Sequence, residues 1–204
     1  MSRETEKAFK AMHRFLNENG AEDMNIEDAN RLLRKFTEDY NSNLPVRITE
    51  KTAKTADDYL ELAEEAPTKA KAEKYIKKAL ELEPDNMDVV SASLDLIDDD
   101  STWEYYQKLS EAVRNGTKLM EKKGLMDEDS IGEFWGILET RPYMRLLSRY
   151  ADFMAEAGMM TLAAREYEEM IRLSENDNLG ARYSLMHVYA FLEQEEPALE
   201  LHKK

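Results

Sequence analysis

Apolar side chains recur at three- and four-residue steps along most of the chain, the period of helices that bury one face. In residues 4–19, Ala8, Phe9, Met12, Phe15 and Leu16 share such a face, and Gly20 follows as a stop. Asn25 stands where a helix cap is needed, ahead of Ile26, Ala29, Leu32, Leu33, Phe36 and Tyr40. Residues 1–40 are therefore expected to form a helical hairpin. Residues 41–54, NSNLPVRITEKTAK, hold Pro45 and β-branched side chains without a helical period, and are expected to be a linker. Residues 55–204 return to the helical pattern.

In that second stretch the helices follow one another at a fixed interval. Thr55 and Asp58 have the spacing of a capping box, and Tyr59, Leu60, Leu62, Ala63 and Ala66 open an apolar face that Pro67 closes. Ala72, Tyr75, Ile76, Ala79, Leu80 and Leu82 line the next helix, which Pro84 ends. The order of small, large, small and proline at Ala72, Ile76, Ala79 and Pro84 resembles the second helix of a tetratricopeptide (TPR) repeat, so residues 53–86 look like one complete 34-residue unit. The same template falls on residues 144–177, with Leu147, Tyr150, Ala151 and Met154 on a first helix, Gly158 at the turn, and Ala163, Tyr167 and Met170 on a second. Glu175 stands where proline is usual. A further copy, residues 179–204, is shifted by one residue and carries Tyr183, Leu185, Val188 and Tyr189, then Ala198.

The resemblance implies an all-α fold, antiparallel helical hairpins stacked as a TPR-like right-handed α-solenoid. Between the regular units lies an irregular one. Ser101 and Glu104 have capping-box spacing ahead of a single long helix to Lys123, with Trp103, Tyr106, Leu109, Ala112, Val113 and Leu119 as its expected buried face and Gly116 as a weak point. Residues 131–145, IGEFWGILETRPYMR, and 175–183, ENDNLGARY, are similar to segments of a bacterial TPR family distantly related to the suppression-of-tumorigenicity proteins. That likeness implies a longer repeat protein and no known catalytic residues. Phe134, Trp135, Ile137 and Leu138 form an apolar cluster ahead of Thr140, an expected helix cap. The cluster is either a structural plug between repeats or, through Phe134 and Trp135, a partner-binding patch.

Composition agrees with helices: Gly and Pro together number 12 of 204 residues, and 35% of side chains are charged. The net charge of -15 is uneven, since residues 1–54 carry ten basic and ten acidic side chains and residues 55–100 carry five and fourteen. Such a field repels polyanions, so neither nucleic acid nor an anionic membrane is an expected partner. There is no cysteine, no stretch of eighteen apolar residues and no apolar leader at the N-terminus, and a cytoplasmic location is the simplest expectation.

Catalytic and metal chemistry find little support. His13, His187 and His202 lie far apart without metal-ligand spacing, and no glycine-rich phosphate loop or nucleophile elbow occurs. Asp95, Asp98, Asp99 and Asp100 cluster, but LDLIDDDSTW lacks the glycine and distal glutamate of a calcium loop and is expected to be a solvated junction. Met154, Met159, Met160 and Met170 crowd one hairpin, as core filling or as an adaptable binding surface. No metal, no cofactor and no enzymatic activity are expected.

The expected function is therefore non-catalytic: a protein- or peptide-binding scaffold. In TPR stacks the first helices line the concave face, which by analogy carries Lys54, Asp57, Glu61, Glu64 and Glu65 in the first repeat and Ser148, Asp152, Tyr183, Ser184, His187 and Phe191 in the later ones. The acidic part favours a neutral or basic peptide. The Lys and Asn clamp by which some TPR proteins grip a C-terminal carboxylate is absent at the matching positions. The alternative is an assembly unit. Only seven residues follow Pro197, so the last hairpin is expected to be cut short, leaving Tyr183, Leu185, Val188, Tyr189 and Leu192 partly uncovered and the chain self-associating through its C-terminal hairpin.

Overall fold

A computed structural model describes residues 3–20, 24–42, 48–98 and 100–203, and among these residues the chain is helical, without strands. It divides into two compact units, residues 1–49 and 50–204. Pro45, within the expected linker, Asp99 and the side chain of His13 lie outside the described residues.

The first unit is a hairpin of α1 (Arg3–Glu18) and α2 (Ile26–Ser42). Asn25 caps α2 as its sequence predicts, accepting from the Asp28 backbone N–H at 2.9 Å while its amide donates to the Asp28 carboxylate. Phe15 packs on Phe36, and Phe36 on Tyr40, each with ring centroids 5.4 Å apart. Ile26 is exposed rather than packed, and α2 runs on to Ser42, into the segment expected to be linker.

The second unit contains α3 (Ala56–Glu64), α4 (Lys69–Leu82), α5 (Met87–Leu94), α6 (Thr102–Lys122), α7 (Arg141–Glu156), α8 (Met160–Leu173), α9 (Ala181–Phe191) and α10 (Glu195–Lys203). Each helix packs against the next, and α5 also touches both α3 and α7. The Thr55–Asp58 capping box forms in both directions. Leu60, Tyr75, Ile76, Ala79 and Val89 close a first core across α3, α4 and α5. A larger one, built on Leu109, Met120, Phe134, Leu147, Met154, Met170, Leu173 and Leu185, runs from α5 to α9. Met154 and Met170 are buried and Met159 and Met160 half-buried, so this methionine group fills core.

Several local expectations are corrected. Ser101 makes no side-chain cap; Glu104 pairs instead with Lys108, one turn along α6, at 2.8 Å. Trp103 is 67% exposed and lies on Tyr106 at its outer edge, while Met120 takes the core position at the far end of α6. Leu82 is half exposed and Ala72 only half buried. Gly116 is a site of close approach, since a Cβ there would stand 2.9 Å from Cδ2 of Tyr143 on α7. Thr140 has helical backbone and does not cap α7; its hydroxyl turns back to the carbonyls of Phe134 and, at 2.8 Å, Ile137.

The segment between α6 and α7 is tied to the end of α8. The backbone N–H groups of Gly132 and Phe134 both donate to the Leu173 carbonyl at 3.0 Å, and the Glu175 N–H donates to the Gly132 carbonyl at 2.9 Å. That last bond accounts for the glutamate at a proline-like position, because proline has no N–H to give. Phe134 is wholly buried in the core and Trp135 half-buried under the Arg141 guanidinium, 5.4 Å from its ring. Phe134 is thus a structural plug and offers nothing to a partner.

Candidate functional site

The odd-numbered helices α3, α5, α7 and α9 each keep a ridge of side chains clear of the core. On α3 it is Asp57, Glu61 and Glu65; on α5, Ser91 and Asp95; on α7, Ser148, Asp152 and Glu156; on α9, Tyr183, His187 and Phe191. Within each helix these positions are four apart, hence stacked along one line of the surface. All are exposed or half-exposed, while the opposite faces are buried through Leu60 and Ala63, Val89 and Leu94, Leu147 and Met154, Leu185 and Val188.

Polar seams join the ridges. Arg145 lays its guanidinium on Asp88 as a fork, Nε to Oδ1 at 3.0 Å and Nη2 to Oδ2 at 2.8 Å. One turn on, Arg149 donates to the Ser91 carbonyl at 2.9 Å, to the Tyr105 hydroxyl at 2.7 Å and to Asp95. Burial works against its charge, but Asp95 and Tyr105 more than offset this and leave its pKa raised. On α8 the Tyr167 hydroxyl donates to Asp152 of α7 at 2.6 Å, and Ser184 of α9 interacts with the same hydroxyl. Asn86, the cap of α5, reaches Asp57 of α3 at 3.5 Å.

Between the end of α5, the start of α6 and the ridge of α7 lies a cleft of about 660 Å³. Tyr105 and Phe153, with ring centroids 5.2 Å apart, form its apolar wall. Asp95, Asp98, Asp152 and Glu156 edge it, against Arg145 and Arg149. Asp95 is matched by Arg149 and Asp98 by Lys69, whose contact lowers the Asp98 pKa. The aspartate cluster at the end of α5 is thus part of an ion-paired junction. Among the described residues no group of three or more His, Cys, Asp and Glu could hold a metal ion.

No protein-family model, curated protein or solved structure matches this chain. The residues themselves carry the reading.

Of the residues singled out in the sequence, Ser148 and Asp152 line the cleft, Ser184 meets the Tyr167 hydroxyl of α8, and Tyr183, His187 and Phe191 form the α9 ridge. Asp57, Glu61 and Glu65 form the α3 ridge, with the exposed Glu64 beside it; Lys54 is exposed just before α3, its N–H bonded to Asp58 at 2.8 Å. The cleft does not contain these α3 residues. Sequence reasoning missed Arg145, Arg149 and Asp88. Two arginines four apart, in a chain with 43 acidic and 28 basic residues, were a signal that one helix meets acidic neighbours.

The C-terminal hairpin corrects another expectation. Helix α10 forms, and Ala198 and Leu201 pack on the core, leaving Leu185, Val188 and Tyr189 buried and Leu192 half-buried. The Tyr189 hydroxyl donates to Glu168 at 2.7 Å. Of the five side chains expected to be left uncovered, Tyr183 is exposed and the other four are buried or half-buried. The large apolar side chains of α9 that are exposed are Tyr183, at 78%, and Phe191, at 68%.

Proposed function

We propose that this chain is a non-catalytic scaffold of TPR-like repeats that holds a protein or peptide along the ridges of α3, α5, α7 and α9. One observation carries the reading: positions related by the repeat interval, 57 and 91, 61 and 95, 148 and 183, 152 and 187, all belong to the exposed ridges, while the apolar side of each helix enters the core. Contacts of each helix with the next, and of α5 with the helices two places away, support a stacked arrangement. The aromatic content of the α9 ridge suits interface anchoring, because tyrosine and tryptophan dominate binding hot spots and phenylalanine is enriched at interface cores.

Site-specific photocrosslinking tests it. A benzophenone amino acid placed at Glu61, Glu156 or His187 should capture the same partner from a lysate of the source organism. The same group at Lys108 or Arg165, exposed positions off these ridges, should not. Equal capture from both sets would remove the case for the ridges. The same captured band, sized by sedimentation and mass, tests the alternative of self-association, since a partner with the mass of this chain would mark an assembly unit.

A further inference from the structure

Three ion pairs account for most of the charge around the cleft: Asp88 with Arg145, Asp95 with Arg149, and Asp98 with Lys69. Two lining carboxylates are left over, Asp152 and Glu156, one turn apart on α7 and both exposed. Asp152 accepts from two neutral hydroxyls, Tyr167 at 2.6 Å and Ser148 at 3.5 Å. Among the described residues neither carboxylate has a cationic partner. The rings of the wall differ in the same way. Over Tyr105 lies the Arg149 guanidinium, 5.4 Å from the ring centre and bonded to Asp95, so that ring, carboxylate and arginine stand together. Half-buried Phe153, 5.2 Å from Tyr105, lines the cleft with Asp152 and Glu156, and no cation of the described residues lies over its ring.

We infer that the partner places one arginine side chain in this cleft, its guanidinium against the Phe153 ring and donating to Asp152 and Glu156. This rests on the scaffold reading above and adds the side chain that the cleft selects. Charge and ring point to the same occupant independently. Two carboxylates without a counter-charge attract a cation and repel an acidic side chain, and a neutral one leaves them unmatched. The aromatic face favours a guanidinium in particular, because it is planar, weakly hydrated and able to donate in its own plane while it stacks, whereas an ammonium is a compact, strongly hydrated point charge. The arginine's aliphatic stem lies along the apolar wall. A metal ion fits less well, since no group of three or more His, Cys, Asp and Glu among the described residues could hold one. The volume of about 660 Å³ is ample for one such side chain, within the roughly 300–1,000 Å³ of sites that enclose small ligands.

Short acetylated and amidated Ser/Gly peptides with one central arginine, lysine or citrulline, titrated into the isotope-labelled full chain and followed by amide NMR shifts, test the inference. Citrulline keeps the planar shape of arginine without its charge. The arginine probe should give a saturable shift centred on Ser148, Asp152 and Glu156, bind several-fold tighter than lysine and at least tenfold tighter than citrulline, and weaken as salt rises. Glu156→Gln should weaken the arginine probe several-fold and leave the citrulline probe unchanged, while Glu61→Gln, on the α3 ridge, should change neither. Phe153→Leu should bring arginine down to the level of lysine. A thermal melt by circular dichroism verifies that each variant is folded, and Glu156, being exposed, keeps the test decisive if Phe153→Leu is not. Arginine binding no tighter than lysine or citrulline, shifts at Glu61 and Glu65 as large as those in the cleft, or no saturable shift at all overturns the inference. Crosslinking from Glu61 and His187 remains a separate test: a partner captured there alongside a failed arginine probe removes the arginine and leaves the ridges, and loss of both removes the scaffold reading as well.

Discussion

Replacing Gly116 by alanine sets two effects of opposite sign against each other. Gly116 lies inside α6, where glycine costs about 1 kcal/mol relative to alanine, so in open space the change would stabilise the protein by that amount. The space is not open. The new Cβ would stand 2.9 Å from Cδ2 of Tyr143 and 3.1 Å from the sulfur of Met87. Met87 can turn aside, being an unbranched thioether. Tyr143 cannot move freely: its ring is buried, its edge meets Phe134 at a centroid distance of 6.3 Å, and its hydroxyl is 3.0 Å from Oγ1 of Thr117, the residue next to Gly116. Overpacking a fixed neighbour costs about 1–3 kcal/mol, which exceeds the propensity gain.

Gly116→Ala is therefore expected to destabilise the second unit by a net ~1 kcal/mol, or a Tm decrease of about 2–4 °C for a domain of this size. Urea denaturation followed by circular dichroism measures it. The decisive comparison is a cycle with Tyr143→Ala, in whose background the added methyl meets no ring and Gly116→Ala should stabilise by about 1 kcal/mol. If Gly116→Ala stabilised the parent chain as much as it does the Tyr143→Ala variant, the close crossing of α6 and α7 would be refuted.

Phe134→Ala should cost about 3–5 kcal/mol in the same melt, while Trp103→Ala stays within roughly 0.5 kcal/mol, because the first side chain is fully enclosed and the second mostly in solvent. Ala79→Leu and Ala163→Leu, both at fully buried helix crossings, should each cost about 1–3 kcal/mol and half-buried Ala72→Leu clearly less; equal effects at all three would contradict the packing. Arg145→Ala strands a nearly buried Asp88 and should cost about 2–3 kcal/mol, less than for a fully enclosed pair because Arg145 retains solvent contact. The Tyr75 hydroxyl donates to Glu50, which raises its pKa to about 12 and, with Lys74, lowers that of Glu50. The neutral phenol is favoured in the folded state, so its contribution is complete below about pH 10 and lost as pH rises through 12. Absorbance titration of Tyr75→Phe against the parent near 295 nm should therefore remove a late-ionising tyrosine, and no difference above pH 11 would contradict the pairing.

The helices were legible because their signals are local. The Thr55–Asp58 box, the Asn25 cap, and the alternation of Leu60 with Ala63 or of Leu147 with Met154 each need only one turn of neighbouring sequence to be read. The corrections fall where a distant residue decides. Ser101 and Thr140 have capping chemistry, but Glu104 finds Lys108 and Thr140 finds the Phe134 and Ile137 carbonyls. Trp103 has the period of a buried residue, yet α6 outruns the neighbours that could cover its first turn. Gly116 reads as a helix defect until Tyr143, 27 positions away, is brought beside it. In the site, the exposure of Asp152, Tyr183, His187 and Phe191 follows from helical spacing, whereas Arg145 and Arg149 gain meaning only when α5 lies opposite α7.

The ridge-bearing helices are joined differently from consecutive ones, and this bears on how a partner would be held. Helices adjacent in sequence share apolar contacts, as Tyr75 and Ile76 do with Leu60, or Met170 with Leu147. The seams between α3, α5 and α7 add oriented polar contacts: Asn86 to Asp57, Arg145 to Asp88, and Arg149 to Ser91 and Asp95. Apolar packing tolerates small slides, but a bidentate fork fixes both distance and orientation. The α5 and α7 ridges are thereby held in register, and the cleft between them is pre-formed, so a bound segment need not order it. Loosening the Arg149 contacts of the same seam without emptying the core should then weaken binding more than it destabilises the fold. Arg149→Lys keeps the charge but cannot reach Ser91, Tyr105 and Asp95 together. It is expected to lower stability by under about 1 kcal/mol, yet to reduce partner crosslinking from Glu156 several-fold, and a loss of crosslinking no larger than the change in stability implies would show that the seams serve the fold alone.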